Sequence, residues 1–470
     1  MPLPTNPAGS SADTGANPLL RRIPMRRPST DLTSNEHEFK QELLQRVVKM
    51  MDLSLLAHMA EKEARTQIQE VCERLLAQES LPFNAPTRLR MVKEIENEIV
   101  GLGPLEALLA DKAISDILVN GPDQIYVERR GKLELSNVRF DSDRHLMTII
   151  DRVVSRVGRR IDESSPMVDA RLADGSRVNA IIPPLSLSGP VMSIRRFSVD
   201  RLNTERLIEL GAMTPDIARF LQIVVRGRLN ILVSGGTGTG KTTLLNVLSG
   251  YIPANERVIT IEDSAELQLQ QPHVVRLETR PPNIEGRGEV SQRDLLRNCL
   301  RMRPDRIVVG EVRGAESFDM LQAMNTGHDG SLTTIHANTP NDGLTRIESM
   351  VAMSGISLPT VSLRAQIASA LDLVVQLERH EDGRRRIVSI QEVGELMGDS
   401  IGMSEIFYFE REGMDSNGLV RGHFAATGIV PRFHAQLLRR GLDLGIEIFD
   451  PMRDSSSVES AKNSAPLSRL

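Results

Sequence analysis

Tryptophan is absent from this chain of 470 residues, which also has only two cysteines and three tyrosines. Two thiols, Cys72 and Cys299, are too few for a disulfide framework or a four-thiolate zinc site, and they suit a reducing cytosol. Scarce aromatic rings leave little for base stacking, and a formal net charge of -5 gives no overall basic field for a phosphate backbone. The composition therefore disfavours a disulfide scaffold, a four-cysteine zinc protein and a nucleic-acid helicase.

Long apolar runs are missing as well. No stretch approaches the roughly eighteen consecutive apolar residues of a membrane-spanning helix. The arginines near the N-terminus are not followed by the apolar core of a secretory signal. We therefore expect a soluble cytoplasmic protein, which works at a membrane only by docking to another protein.

Composition and periodicity predict five parts of the chain. Residues 1–36 are rich in Pro, Ser, Gly and Arg and are expected to be a disordered arm, whose arginines could contact anionic lipid or a partner, or simply be solvated. Helical apolar spacing predicts a helical subdomain over 37–80, and mixed patterns predict an α+β domain over 81–200. Residues 201–450 alternate strands and helices and end in helices, and the Ser-rich tail 451–470 is expected to be disordered.

Local signals support this division. Asn120-Gly121 is a hairpin-type turn signal between two strand-like runs. Thr214-Pro215 resembles a helix N-cap with proline at the first helical position, so a new domain has begun by that point. The helical subdomain should bury one face of each of two helices: Leu43, Val47 and Met51, then Ile68, Val71, Cys72 and Leu75.

The stretch LVSGGTGTGKTTLLNVLSG is an apolar strand that runs into a Gly-Thr loop and then into an apolar helix. Its G-x-x-x-x-G-K-[ST] pattern, in this context, is typical of a phosphate-binding loop, whose backbone N–H groups and helix end bind phosphate oxygens. Lys241 would reach the outer phosphates and the Thr242 hydroxyl would ligate magnesium. The predicted nucleotide-binding residues are Gly235, Gly236, Thr237, Gly238, Thr239, Gly240, Lys241, Thr242 and Thr243.

Short β-branched runs alternate with helical patterns after this loop. This alternation predicts the α/β class, with a parallel sheet flanked by helices. Residues that directly follow parallel strands gather at one edge of the sheet, so they can reach the loop. The predicted strands are Val258 to Ile261, Arg306 to Val309, Leu332 to Ile335 and Leu371 to Leu377.

Carboxylates follow two of these strands. VITIEDSAELQ ends its strand in Glu262 and Asp263, with Glu266 one helical turn further on, and RIVVGEVRGAE ends its strand in Gly310 and Glu311. Hydrolysis of a bound nucleotide needs acidic groups that organise magnesium and water. Either set of residues alone could be ordinary exposed carboxylates. Because both sets follow the phosphate-binding loop in the chain, on apolar strands, they predict a site for a metal ion and a water molecule.

Two histidines bracket the strand in TGHDGSLTTIHAN. His328 and His336 could be structural, or could bind a metal together with Asp329. We favour a third role, in which polar residues beside the catalytic strand sense whether the third phosphate is present.

Arginines outside the loop are a further element of the predicted site. Arginine from another domain or subunit can stabilise the charge on a transferring phosphoryl group. Each of these side chains could also be an ordinary exposed arginine. The candidates are Arg171, Arg177, Arg195, Arg196, Arg280 and Arg287.

Taken together, these motifs resemble the type II/type IV secretion ATPase superfamily, and within it the CpaF-type ATPases of tight-adherence (Flp) pili. The resemblance rests on SGGTGTGKTT, TIEDSAELQL, LETRPPNIEGRGEVSQRDLLRNCLRMRPDRIVVGEVRGAE and AMNTGHDGSLTTIHANTP. It continues upstream through GLGPLEALLADKAISDILVNGPDQIYVERRGKLEL and DARLADGSRVNAIIPPLSLSGPVMSIRRF, so it covers about Glu94 to Gln376. It implies a homohexameric ring of RecA-like motor domains, each with an α+β N-terminal domain that closes over ATP and Mg²⁺.

The resemblance also implies roles for particular residues. Glu262 and Asp263 would belong to the Asp box, and Glu311 would be the Walker B glutamate. We expect Glu262 to orient the attacking water and Glu311 to support magnesium, although the two roles could be exchanged. His328 and His336 would form the His box, and Arg280 would lie in an arginine-rich loop. The arginines that match the family's N-terminal domain are Arg177 and Arg195, with Arg171 and Arg196 matching less well.

Three functions follow as hypotheses. The first is a motor that docks at the inner membrane on a platform protein and assembles, and possibly retracts, a pilus, touching pilin only indirectly and nucleic acid not at all. The second is a traffic ATPase that exports protein or DNA in a type IV secretion system, with the same motor residues. The third is a nucleotide-gated scaffold with little hydrolysis, against which the glutamates and arginines argue.

Overall fold

A computed structural model describes residues 34–52, 55–56, 59–78, 83–129, 132–172, 174–196, 202–282 and 286–453. Almost all of the predicted arm, 1–36, and of the predicted tail, 451–470, lies outside these residues. Contacts divide the chain into two units. The first contains the described residues up to Lys112 together with Val138–Val153, and the second contains Ala113–Asn137 and the chain from Val154 onward.

The first unit is helical. Its core is formed where the predicted apolar faces meet, with Leu43, Val47, Ile68 and Cys72 fully or almost fully buried. Asn84 accepts a hydrogen bond from the Thr87 N–H at 2.9 Å and so caps the third helix. The helices are α1 (Ser34–Met50), α2 (Glu61–Ala77), α3 (Ala85–Ile99), α4 (Leu105–Ala110) and most of α5 (Asp143–Arg156).

The second unit contains two sheets, of which the first is antiparallel and has six strands in the order β3-β2-β1-β6-β5-β4. Asn120-Gly121 lies between β1 and β2, which pair antiparallel as the turn signal predicts. Gly121 has a φ of 108°, a left-handed conformation that favours glycine. The strands are β1 (Ile114–Val119), β2 (Ile125–Arg129), β3 (Lys132–Leu135), β4 (Met167–Arg171), β5 (Arg177–Ile181) and β6 (Val191–Arg195).

The second sheet has nine strands in the order β15-β14-β13-β12-β7-β11-β10-β8-β9. Its strands from β12 to β9 in that order are parallel, as the alternation of patterns predicts. Thr214 accepts a hydrogen bond from the Ile217 N–H, so the predicted N-cap is present. The parallel strands are β7 (Ile231–Gly235), β8 (Val258–Glu262), β9 (Val274–Glu278), β10 (Arg306–Val309), β11 (Leu332–His336) and β12 (Leu373–Arg379).

Helices connect most of the consecutive parallel strands of this sheet, whereas β8 and β9 are joined by the segment 263–273, which contains no helix. Among the described helices, none combines the length and apolarity needed to cross a bilayer. The helices of the second unit are α6 (Thr204–Glu209), α7 (Pro215–Arg226), α8 (Lys241–Ser249), α9 (Gln292–Cys299), α10 (Glu316–Asn325), α11 (Pro340–Met353), α12 (Thr360–Ala370) and α13 (His434–Arg439).

Three long antiparallel strands extend the sheet beyond β12, and the sequence patterns did not predict them. They are β13 (Arg385–Met397), β14 (Ser400–Met414) and β15 (Val420–Ala426). Only part of each strand is buried, so polar and apolar residues mix along it without a clear period. The helices expected near residue 450 are reduced to α13 and one 3₁₀ turn, Ile446–Phe449.

The parallel register determines which loops meet. His336 pairs with Gly235, and Val309 pairs with both Ile261 and Thr333, so β7, β8, β10 and β11 end at the same edge. The phosphate-loop sequence, the Glu262 segment and Glu311 all follow strands at this edge.

The order and direction of the strands and helices confirm the predicted fold. This applies to the α/β class, the parallel-rich central sheet, the α+β sheet domain and the helical region.

Candidate nucleotide-binding site

The loop between β7 and α8 has the backbone that its glycines predict. Gly240, the residue before α8, has a φ of 98°. A Cβ at Gly235 would lie 2.7 Å from the Leu377 carbonyl oxygen and 2.6 Å from the Thr239 hydroxyl, so a side chain cannot fit there. The free N–H groups at the start of α8 point out of such a turn and favour an anion.

Lys241, the first residue of α8, is almost fully buried. Its ammonium donates to the Gly236 carbonyl at 2.8 Å and to the Gly235 carbonyl at 3.0 Å. Burial lowers its pKa from 10.5 to about 8, with the positive Arg313 acting in the same direction and Glu311 against it. The lysine therefore remains mostly charged at neutral pH but close to its titration range.

His336 links the lysine to the carboxylate that follows β10. Lys241 Nζ lies 3.3 Å from His336 Nδ1, and His336 Nε2 lies 3.2 Å from Glu311 Oε1. Burial lowers the pKa of His336, so the ring is neutral at pH 7. Because the ammonium can only donate, Nδ1 accepts and Nε2 carries the proton that bonds to the carboxylate. One residue at the end of β11 thus contacts the loop lysine and the predicted Walker B glutamate.

Glu311 is held by positive groups. Arg313 Nη2 bonds to Glu311 Oε2 at 2.8 Å, and Nη1 of the same arginine lies 3.3 Å from Asp263 Oδ2. Burial by itself would raise the pKa of Glu311, but the Arg313 hydrogen bond and charge outweigh it, so the pKa is lowered. Burial raises the pKa of Asp263. Arg313 therefore joins the two carboxylate segments and keeps Glu311 ionised.

Glu262 differs from Glu311 in its surroundings. The side chain is buried, and its Oε2 accepts hydrogen bonds from the N–H groups of Glu266 and Leu267, both at 2.7 Å. Its Oε1 is also buried and has no hydrogen-bond partner within the described part of the chain. Burial raises the pKa of Glu262 in spite of the two backbone hydrogen bonds. One carboxylate oxygen of Glu262 is thus held in place, and the other can still accept a hydrogen bond. The raised pKa also makes this carboxylate a stronger base.

A cavity of about 770 Å³ lies between α8 and the six-stranded sheet, and Thr242 and Thr243 line it. Three predicted arginines, Arg177, Arg195 and Arg196, line the opposite side. Further along α8 the wall is formed by uncharged polar and apolar side chains: Asn203, Thr204, Asn246, Val247, Tyr251, Gln268 and Gln271. The cavity therefore brings the start of α8 and the arginines of the α+β domain into one space large enough for a nucleotide.

Two of these arginines are paired with carboxylates. Arg177 and Arg195 are cross-strand neighbours on β5 and β6. Arg177 Nη1 lies 3.1 Å from Glu266 Oε1, and Arg195 Nε lies 3.2 Å from Asp116 Oδ1. Arg171 lies at the edge strand β4 and bonds to Glu278 at 2.9 Å. The predicted pair thus faces the cavity, while Arg171 joins the two sheets through the end of β9.

Other predicted site residues lie away from the loop within one chain. Arg280 follows β9, which β8, β10 and β11 separate from β7, and it bonds to the Gly288 carbonyl at 2.6 Å. At about 4.8 Å per strand this separation is roughly 19 Å. His328 precedes β11 and so lies at the opposite edge of the sheet from His336. Roles for Arg280 and His328 in nucleotide binding stay predictions, and both would need a second subunit.

Sequence reasoning missed two arginines beside the loop. Arg379 ends β12 and Arg385 begins β13, and the two are cross-strand partners. A Cβ built on Gly238 would lie 3.7 Å from Arg379 Nη1, and one built on Gly240 would lie 3.5 Å from Arg385 Cδ. The sequence feature that could have identified these arginines is the basic run RHEDGRRR, which begins at the last residue of β12. Its role depended on β12 pairing with β7, which the sequence alone did not show.

We expect the affinity for ADP to fall above pH 8. The ammonium of Lys241 has a pKa of about 8 in the folded protein, so it is charged below that pH and loses its charge as the pH rises through it. Calorimetric titration between pH 7 and 9.5 should show a decline of up to about tenfold per pH unit above pH 8. Lys241→Arg stays charged across this range and should show a flat profile. Parallel profiles for both proteins would contradict this role of Lys241.

Comparison with known proteins shows which proteins this chain is similar to. Residues 98–405 match the protein family described as "Type II/IV secretion system protein". A Mycobacterium tuberculosis protein named for conjugal transfer is 39% identical over 308 residues, which are 64% of this chain and 87% of that protein. The type IV secretion system protein VirB11 of Bartonella quintana is 32% identical over 341 residues, covering 63% of this chain and 94% of its own.

A solved structure is similar as well. The VirB11 ATPase from the Brucella suis type IV secretion system, crystallised in complex with sulphate, is 30% identical and superposes with a TM-score of 0.34. The similarity covers 62% of this chain and 92% of that one. Helices α1 and α2 and part of α3 lie before the region that the family match covers.

Proposed function

Because the chain belongs to the type II/IV secretion system protein family and is an ATPase, we propose that it is a hexameric motor that turns ATP hydrolysis into assembly of a Flp-type pilus. The observation that carries the catalytic part is the gathering of Lys241, His336, Glu311 and Glu262 at one sheet edge, beside the cavity that Arg177 and Arg195 line. Phosphoryl transfer to water needs bound phosphates, positive charge and a group that orients the water, and this edge carries candidates for all three.

The phosphates would be held by the loop. The N–H groups of Gly238 to Thr243 and the Lys241 ammonium would bind the outer phosphates, with Arg385 beside the loop. Thr242 and Glu311 supply hydroxyl and carboxylate oxygens, the hard ligands that Mg²⁺ prefers, so the residues fit this ion. When bound, Mg²⁺ neutralises charge that develops on the phosphates. Glu311 would act on it through water, since its oxygens already contact Arg313 and His336.

Glu262 is the better candidate for orienting the attacking water. Its Oε1 is uncommitted, its Oε2 is fixed by two N–H groups, and its raised pKa makes it the stronger base of the two glutamates. Arg177 and Arg195 would stabilise the charge on the transferring phosphoryl group from the α+β domain. Their carboxylate partners, Glu266 and Asp116, would be exchanged for phosphate oxygens.

A ring of six chains accounts for the residues that lie far from the loop. Arg280 and His328 cannot reach the loop of their own chain, but a neighbouring subunit could place them beside its nucleotide. The proposed working position is cytoplasmic, at the inner membrane, on a platform protein that passes movement to pilin without contact between the motor and nucleic acid. The resemblance of the motor motifs to the Flp-pilus ATPases supports this choice of machine.

Export through a type IV secretion system is the second candidate. The names of the M. tuberculosis and B. quintana relatives favour it, since both refer to transfer or secretion. The two functions share every motor residue, so only the cellular outcome separates them.

We expect a Lys241→Ala replacement in the native host to abolish pili while conjugation and protein export continue. Pili are counted by electron microscopy, and DNA transfer and secreted protein are measured in the same cultures. Lys62→Ala, on the exposed face of α2, is the control that should leave all three unchanged. Intact pili together with lost transfer would contradict the pilus function and support the secretion function.

A further inference from the structure

The turn from His380 to Arg384 joins β12 to β13 and so carries the arginines that lie beside the phosphate loop. Arg379 and Arg385 stand at its two ends as the last cross-strand pair. The turn is closed by hydrogen bonds between the His380 N–H and the Arg384 carbonyl and between the Gly383 N–H and the His380 carbonyl, both at 2.9 Å. Where the two guanidinium groups lie relative to the loop therefore depends on how this turn is held.

Asp382 holds the turn from within. Its side chain is completely buried, although it lies in a run of charged residues that would ordinarily be solvated. Oδ1 accepts a hydrogen bond from the Arg384 N–H at 2.9 Å, and Oδ2 accepts one from the Val420 N–H at 3.0 Å. Val420 is the first residue of β15. One carboxylate thus ties the arginine-bearing turn to a different hairpin.

The same hairpin also contacts His380, within the turn, and Arg386, two residues after it. Arg386 is almost fully buried, donates to the Val420 carbonyl at 3.4 Å and stacks over the Phe409 ring at 5.0 Å. The His380 ring lies 5.5 Å from the same phenylalanine. Asp382 Oδ2 also lies 3.7 Å from Arg386 Nη2, so the buried carboxylate and the buried guanidinium are paired with each other. This packing indicates that the turn has one preferred position against β14 and β15.

We propose that Asp382 is a positioning residue for the arginine pair: its bond to Val420 fixes the turn so that Arg379 and Arg385 stay beside Gly238 and Gly240. The proposal rests on the proposed function, in which this loop binds the phosphates of ATP. The hydrogen bonds of Asp382 within the described residues are accepted from Arg384 and Val420, and not from the phosphate loop. Its effect on hydrolysis must therefore pass through the two arginines.

A double-mutant cycle on the full-length protein tests this. Asp382→Ala should lower kcat/KM for ATP about tenfold or more, since a shift of about 1 Å in a positioned group can cost up to a hundredfold. In a protein that already carries Arg379→Ala and Arg385→Ala, the same change should cost less than about twofold, because the groups it positions are gone. Asp443→Ala removes an exposed carboxylate that bonds to the Gly445 N–H at 2.9 Å in another turn, and should have no effect in either protein.

Thermal melting and particle mass accompany each variant. Asp382→Asn replaces Asp382→Ala if the alanine variant does not assemble, because asparagine keeps one acceptor but presents an amide N–H₂ to either Arg384 or Val420. An equal loss with and without the two arginines would overturn the positioning role and leave the proposed function intact. Wild-type protein without ATP turnover would overturn the proposed function, and this inference with it.

Discussion

Replacing Glu262 with glutamine should lower kcat for ATP hydrolysis about a thousandfold, the middle of the range that a positioned general base contributes. Glutamine keeps the size of the side chain and its bonds to the Glu266 and Leu267 N–H groups, but it cannot take a proton from water. The affinity for ATP should change less than about threefold, because the hydrogen bonds that Glu262 makes within the described part of the chain go to Glu266 and Leu267 and not to the phosphate loop. Steady-state turnover and equilibrium binding of a fluorescent ATP analogue measure the two quantities.

Two matched variants show what this result means. Glu395→Gln makes the same chemical change at a side chain that is 93% exposed, and it should leave kcat unchanged. Glu311→Gln should lower kcat less than Glu262→Gln but raise the Mg²⁺ concentration needed for half-maximal turnover. The reverse order of the two losses would show that Glu311 is the base and that the assignment of the glutamates is wrong.

Replacing Lys241 with alanine should weaken ATP binding at least about a hundredfold. A hydrogen bond to a charged group is worth about 1.5–3 kcal/mol, and the ammonium can offer more than one to the phosphates. Turnover should be undetectable, since the same charge is needed when the phosphoryl group transfers. Calorimetric titration with ATP and Mg²⁺ measures the change in affinity.

Stability has to be measured beside this variant, because burial of Lys241 is itself unfavourable to the charged form. We expect the alanine variant to melt no lower than the wild type. Lys62→Ala, on the exposed face of α2, is the control and should bind ATP normally. Binding by Lys241→Ala within about threefold of the wild type would show that the loop does not hold the phosphates.

The sequence predicted those parts of the site that depend on residues close together in the chain. The loop from Gly235 to Thr243 follows from the spacing of its glycines between a buried strand and a helix. Glu262 and Glu311 follow from their positions after buried strands, because parallel strands bring such residues to one edge. His336 was predicted to sense the third phosphate from a strand beside the catalytic one; that role stays a prediction, and in the structure the ring contacts Lys241 and Glu311.

The parts that were missed depend on pairing between distant segments. Arg385 reaches the loop only because β12 pairs with β7, and Arg313 matters only because it spans Asp263 and Glu311. The strands β13 to β15 have no continuous apolar run, since each is only partly buried. His328 seemed equivalent to His336 in the sequence, yet a five-residue strand places the two at opposite edges of the sheet.

The central claim is that ATP turnover requires a ring of six chains. Mass photometry of the purified protein, with turnover measured over the same range of protein concentrations, tests it most directly. We predict a particle about six times the 52.0 kDa mass of the chain, and turnover per chain that disappears as dilution splits this particle. Turnover per chain that stays constant while the protein is monomeric would contradict the account.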